Sequence, residues 1–408
     1  MQIALFRSHA ALFLAVFLDI LSFGLMYPLI VSLFHTGSIV SGYGASARDG
    51  LMSLAFALFP IGAFFGCSLL GDLSDALGRR RTLVVCMAGL AVAYGLMWLA
   101  LELDQLWLFF LGRLVAGLMS GTSPIAQASM VDAVAPEQRG EAMAQVTVVN
   151  TVGLMTGPAI GGVLGQVDFR LPLALALVLC VLNAWLLTRA RFGESGPRRA
   201  FRFDWRQPFL LFVRVRERPQ VVAALAAFSL FQLGFLIYYT FILIIMQRDY
   251  GFTTGQIGLF SVVMGVGFSL GSAVCYGPVS RRLKQERHIA MLGLAGCGGL
   301  MGLAALPLSG GMQMGLACLI CITNVFAFVA LLSSMSGAVD ESERGWVLGI
   351  SSASIALCVL ASGLMTGLVA LLPAAVFLLL GSGLVLIGLG PARRIPLQDL
   401  PPISQTRS

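Results

Sequence analysis

The chain has 408 residues, 58% of them hydrophobic and 11% charged, with a mean hydropathy of +0.90. Soluble domains carry about 25% charged residues, so this composition excludes a water-soluble globular protein. The net charge of +7 would suit a nucleic-acid surface only if the basic residues shared one face, and their distribution along the chain excludes that.

Apolar runs of about 18 or more residues are candidate membrane spans. Here they fall at about 10–34, 51–71, 82–101, 105–131, 141–165, 171–190, 220–247, 256–277, 288–307, 311–338, 345–370 and 372–390. Lipid offers no partner for backbone polar groups, so spanning segments are helices or closed barrels. The runs do not alternate polar with apolar, which selects helices. An all-α membrane protein of twelve spans is expected.

With the N-terminus in the cytoplasm, 22 of the 26 Lys and Arg fall in inner loops and tails, three (Arg48, Arg170, Arg248) in outer loops and one, Arg113, inside a span. Basic residues retained on the cytoplasmic side set orientation. The excess charge therefore reads as topology, with both termini in the cytoplasm of the inner membrane.

The opening stretch, MQIALFRSHAALFLAVFLDILSFG, is longer than a signal-peptide core and shows no small-residue cleavage site, so it is expected to stay as the first span. It carries Asp19, nine residues before Pro28 and alone among the 19 acids in lying deep within a span. Buried acids of this kind mark proton relays.

Between the second and third spans comes GDLSDALGRRRTL. Its glycines, Gly71 and Gly78, permit close backbone approach. Asp75 can accept bonds from unpaired N–H groups at a helix start, Arg79 can fork onto a carboxylate, and Arg80 adds charge beside it. Arg113 lies inside the fourth span, in LGRLVAGLMSGT, where a charge is costly and functional. The fifth span holds Gly153, Gly157, Pro158, Gly161 and Gly162, small residues that let helices pack closely.

Residues 191–219 are the longest polar stretch, with arginines interleaved among Phe, Trp and Leu, as in a segment lying on an anionic leaflet. Beyond it the chain repeats itself. GPVSRRLKQER at 277–287 aligns with 71–81 at an offset of 206 residues, and DESERGWVLG at 340–349 aligns with APEQRGEAMA at 135–144 at an offset of 205. Such a repeat predicts two six-helix bundles, 1–190 and 220–390, joined by the 191–219 linker and followed by a tail at 391–408, with a substrate site at the midplane. Gln232, Tyr238, Tyr239 and Asn324 are the candidate cavity residues of the second bundle. They stand in an apolar setting suited to an amphipathic molecule.

The eight cysteines all fall in spans, and Cys318-x-x-Cys321 has no second pair or histidine cluster beside it. His9, His35 and His288 are scattered. Lys284, the only lysine, follows Leu283, so no phosphate-binding Gly-Lys loop exists. Neither metal, cofactor nor enzymatic activity is expected.

The hinge at 71–83 resembles the signature of the major facilitator superfamily, with Gly71, Leu73, Asp75, Gly78, Arg79, Arg80 and Leu83 at matching positions and Ala76 replacing a basic residue often found there. Arg113 with Gly117 is similar to the family's R-x-x-x-G element, although Ala116 stands where glutamine is common. GLMTGPAIGG at 153–162 resembles the antiporter element, and Asp19 with Pro28 resembles the tetracycline and multidrug exporter branch. The resemblance implies that Asp132 partners Arg79 in an inner gate with Asp75. It also implies that Asp19 carries a proton modulated by Arg113, and that the chain works as a monomer. It implies export of a small amphipathic compound (a drug, a siderophore or another metabolite) in exchange for protons. Proton-driven import of a nutrient or metal chelate would use the same fold, and a non-transporting membrane sensor is a third reading.

Overall fold

A backbone in lipid must bond to itself, and glycine-rich apolar segments do so most compactly as close-crossing helices. The computed structural model describes residues 10–133, 139–190, 206–340 and 343–396. The helices are α1 (Ala10–Thr36), α2 (Ala45–Leu77), α3 (Arg79–Glu102), α4 (Leu106–Leu118), α5 (Thr122–Ala133), α6 (Arg139–Val167), α7 (Arg170–Arg189), α8 (Gln207–Val213), α9 (Pro219–Arg248), α10 (Thr254–Leu270), α11 (Tyr276–Leu283), α12 (Glu286–Ala304), α13 (Gly310–Gly337), α14 (Arg344–Met365) and α15 (Ala374–Ile387). Among the described residues, twelve helical stretches are long and apolar enough to cross a membrane. They follow the sequence segmentation closely. The fourth span is two helices, α4 and α5. The eighth runs from α10 through a π turn at Gly271–Cys275 into α11.

The charged hinge turns on one glycine. Gly78 has φ +90°, and its N–H bonds back to the Ser74 carbonyl at 3.0 Å before α3 begins at Arg79. At the counterpart position of the second half, Lys284 has φ +54° and donates to the Ser280 carbonyl, also at 3.0 Å. Both stops thus use a positive φ and the same backbone bond, once with the residue that adopts positive φ freely and once with a side chain that does so at a cost, but ψ differs, 149° at Gly78 and −9° at Lys284. The close approach expected at Gly71 and Gly78 is absent among the described residues: a methyl group at either would meet nothing within 4 Å, and Gly78 serves its positive φ instead.

Contacts divide the chain into two compact units. The first is Met1–Pro208 with Met246–Val262 and Gly363–Leu371; the second is Phe209–Ile245, Val263–Ser362 and Leu372–Ser408. In the first unit, Gly153, Gly157 and Gly161 ride along the Phe17, Leu21 and Leu25 carbonyls of α1. A methyl group at these glycines would stand 3.2, 2.7 and 2.5 Å from those oxygens. The four-residue spacing is the same on both helices, so one ridge of α6 lies along one ridge of α1. Gly24 lies under Pro158, whose Cδ would be 2.7 Å from an added methyl. In the second unit, Phe241 stacks on Phe377 with ring centroids 4.1 Å apart, and Gly234 and Gly381 cross closely enough that a methyl on Gly381 would lie 2.7 Å from the Gly234 carbonyl.

Candidate functional site

The break in the fourth span creates the central feature of the first unit. Where α4 stops at Leu118, Ser120 Oγ donates to the Gly117 carbonyl at 2.7 Å and Thr122 Oγ1 to the Met119 carbonyl at 3.1 Å. The first N–H groups of α5 then have no partner within their own helix. One finds a partner on another span: Ser123 N donates to Asp19 Oδ2 at 3.2 Å. A carboxylate at a helix N-terminus is favoured by the exposed N–H groups and the helix dipole together. The sequence marked Asp19 but not its partner, because nothing in LMSGTSP shows that the span breaks there.

Arg113 is 5% exposed. Its Nε donates to the Ala55 carbonyl of α2 at 3.0 Å, and its guanidinium lies 5.0 Å from the Phe59 ring centroid. Asp19 therefore turns to α5 and Arg113 to α2, and no ion pair joins them among the described residues. Gly117 explains how α2 and α4 come so close, since a methyl there would run into the Phe59 carbonyl.

Of the expected gate residues, Arg80 donates from Nε to the Leu187 carbonyl at 3.0 Å, tying the start of α3 to the end of α7. Arg79 is described, whereas the side chains of Asp75 and Asp132 lie outside the described residues. At the opposite, Val167 end of the same unit, Gly162 faces Gly258 of α10, and a methyl on Gly162 would stand 2.5 Å from the Gly258 Cα. Nearby, Ser53 Oγ donates to the Gly363 carbonyl at 3.1 Å and the Leu364 carbonyl at 2.9 Å. Arg48 binds the carbonyls of Tyr43, His35 and Ser41 at 2.8, 3.2 and 3.2 Å. An open hollow of about 680 Å³ at this end is lined by Gln166, Asp168, Gln247 and Thr253, among others.

In the second unit, Gln232, Tyr238, Tyr239 and Asn324 are all buried. Among the described residues, the Tyr238 hydroxyl and Asn324 Nδ2 have no hydrogen-bond partner. The Phe235 ring centroid lies 6.3 Å from that of Tyr238 and 6.2 Å from that of Tyr239.

Two acids escaped the sequence reading. Glu286 is 5% exposed at the start of α12; its Oε1 accepts from Ser333 Oγ, and its Oε2 from Ser334 Oγ at 3.1 Å. Adjacent serines in an otherwise apolar span were the available signal. Glu343 Oε1 accepts from Arg214 Nη2 and Arg218 Nη2, both at 2.8 Å. The Arg218 hydrogen bond first, with the positive charge of both arginines, holds this carboxyl below the ordinary carboxylate range. Arg214 also lies 5.4 Å from the Trp346 ring centroid. No group of three or more His, Cys, Asp or Glu able to hold a metal occurs among the described residues.

Twelve apolar helices, a carboxylate capping a broken span and glycine-lined crossings define a multi-pass membrane protein of the secondary-transporter type. The chain belongs to the Major Facilitator Superfamily, whose family model matches residues 12–363. It is 27% identical over 348 residues to the tetracycline resistance protein, class C, of Escherichia coli, covering 83% of this chain and 84% of that one. It is 28% identical over 349 residues to the class G protein of Vibrio anguillarum, covering 84% and 85%. Among solved structures, the human organic anion transporter MFSD10 (TETRAN) superposes with a TM-score of 0.70 at 20% identity, over 95% of this chain and 99% of that one. An auto-inhibited POT family peptide transporter superposes with a TM-score of 0.75 at 16% identity, over 96% and 98%. These likenesses are to the fold.

Proposed function

We propose that this transporter exports a small amphipathic organic compound across the inner membrane in exchange for protons, by alternating access. Tetracycline-like polycyclic molecules are the first class to test, in view of the relatives' names. The observation that carries the reading is the bond from Ser123 N to Asp19 Oδ2, which joins a titratable group on one span to the broken middle of another.

The ionised carboxylate holds the start of α5 against α1. Protonation at Asp19 removes the negative charge, weakens that charge-assisted bond and frees α5 to shift. Release of the proton restores the contact. At the Val167 end, which the charge bias places outside, the Gly162–Gly258 crossing and the Ser53 bonds form a seal that must part to let cargo out. At the other end, Arg79 and Arg80 serve as gate residues with Asp75 and Asp132. Gln232, Tyr239 and Asn324 supply sparse polar contacts to the cargo. The work is transport by a monomer and involves no bond-making chemistry.

Purified protein in inside-acid vesicles tests this reading. Adding tetracycline outside should raise the internal pH for the wild-type chain and leave it flat for Asp19→Asn. Equal signals from the two proteins would sink the coupling role. Accumulation of the compound in cells carrying the protein, relative to cells without it, would instead favour import.

A further inference from the structure

The hollow of about 680 Å³ at the Val167 end lies wholly on the first unit, and its walls are fixed by their own bonds. One wall is the end of α6 and the residues after it; the other runs from the last turn of α9 to the start of α10. In the second wall Gly251 turns the chain at φ +67°, and the Phe252 N–H bonds back to the Met246 carbonyl at 2.9 Å. Thr253 and Gln256 then cap each other: Thr253 N donates to Gln256 Oε1 at 2.9 Å, and Gln256 N to Thr253 Oγ1 at 3.3 Å. Gln166 reaches from the first wall toward the second, so that a methyl on Gly255 would lie 2.1 Å from its Oε1. The Gly162–Gly258 crossing holds the same two helices together. The space is therefore formed before any ligand arrives, and its volume suits a drug-sized molecule.

Its chemistry is selective. Asp168 Oδ1 accepts from the Arg170 backbone N–H at 2.8 Å, but the Arg170 guanidinium is drawn to α3. It lies 3.2 Å from Glu102 and donates to the Leu101 carbonyl at 3.1 Å, while staying 4.0 Å from Asp168 Oδ2. Two carboxylates thus share one cation, and the excess charge is negative. Gln247 adds an amide whose Oε1 has no hydrogen-bond partner among the described residues. Val167, 77% exposed, adds apolar surface with Phe169 and Phe252. A carboxylate and open acceptors beside aromatic rings fit a cationic nitrogen on an apolar body.

We propose that this hollow binds amphipathic organic cations, with the cationic nitrogen at Asp168 and the apolar body against Val167, Phe169 and Phe252. The site uses none of the coupling or gate residues, so it stands whatever the direction of transport.

Photolabelling tests it without transport. The purified full chain in detergent is equilibrated with ethidium monoazide and irradiated, and the modified peptides are located by mass spectrometry. Adducts should appear within 165–169 or 247–254. They should fall about tenfold in Asp168→Asn, as loss of one hydrogen bond to a charged group requires. Asp104→Asn, which removes an acid that does not line the hollow, should leave them unchanged. An anionic photolabel, azidonaphthalene sulfonate, should leave both segments unmarked. Absence of ethidium adducts from both segments would overturn the proposal, as would equal adducts in Asp168→Asn. Equal marking by the two photolabels would show partition onto an apolar surface and would overturn it too.

Discussion

Asp19 Oδ2 accepts a hydrogen bond from the backbone N–H of Ser123 at 3.2 Å, so an acid in the middle of α1 caps the N-terminus of α5. An amide oxygen could keep that bond, but it cannot release a proton. Asp19→Asn should therefore retain downhill exchange of labelled substrate between the two sides of a vesicle, while proton-driven accumulation drops at least tenfold. Asp19→Ala, which leaves the α5 N–H unsatisfied, should impair both. If Asp19→Asn still accumulates substrate against its gradient, the proton is carried elsewhere.

Arg113 is held by shape as much as by charge. Its Nε bonds the Ala55 carbonyl and its plane meets Phe59, and lysine reproduces neither feature. Arg113→Lys should cost about 2 kcal/mol, the range for a buried hydrogen bond to a charged group. A fall in the melting temperature of the purified protein would register the loss. An unchanged melt would show that the guanidinium contributes little.

The seal at the Val167 end rests on the absence of side chains. Gly162→Leu places a branched group where only 2.5 Å separates an added methyl from the Gly258 Cα. The ends of α6 and α10 should move apart, and labelling of a cysteine at Ser53 by a membrane-impermeant maleimide should rise several-fold. Val163→Leu, at a position 60% exposed, is the control and should leave labelling unchanged.

The duplicated hinge makes opposite demands on its two copies. Gly78→Ala should destabilise the protein by about 1 kcal/mol, because φ +90° suits only glycine. Lys284→Gly should stabilise it by about the same amount, by relieving the left-handed conformation at φ +54°. Thermal unfolding in detergent measures both. Shifts of the same sign would show that positive φ does not govern both positions.

Glu343 sets a pH window. Its carboxyl is held below the ordinary range by Arg218 and Arg214. A group with a depressed native pKa contributes stability that is full above its unfolded value and is lost as the pH falls through the native one. Amide hydrogen-exchange protection of residues 207–217, corrected for intrinsic rates, should stay constant from neutral pH into the usual carboxylate range and vanish only below it. Glu343→Gln should lack that protection throughout.

Sequence and structure share the description of this protein unequally. Hydropathy fixes the twelve spans because each is a local property of about twenty residues in lipid. Gly78 stood out in the sequence as a site of close approach, whereas the structure uses it for a positive φ at a helix stop. The 206-residue offset aligned the two hinges, but the positive φ at Lys284, with its different ψ, emerged only from the structure. The glycines of the fifth span announced close packing but not that Gly153, Gly157 and Gly161 serve α1 while Gly162 serves α10.

What tertiary structure alone decided is which group meets which. Asp19 was visible as an acid within a span, yet an isolated carboxylate has many possible partners, and Arg113, the other charge the sequence places inside a span, points elsewhere. Its actual partner is a backbone N–H, identical in every residue but proline. That N–H is available only because the fourth span breaks beside α1. Glu286 on Ser333 and Ser334, and Glu343 between two linker arginines, are likewise bonds between segments far apart in the chain. Composition and period describe a helix one stretch at a time, whereas these contacts depend on how helices cross.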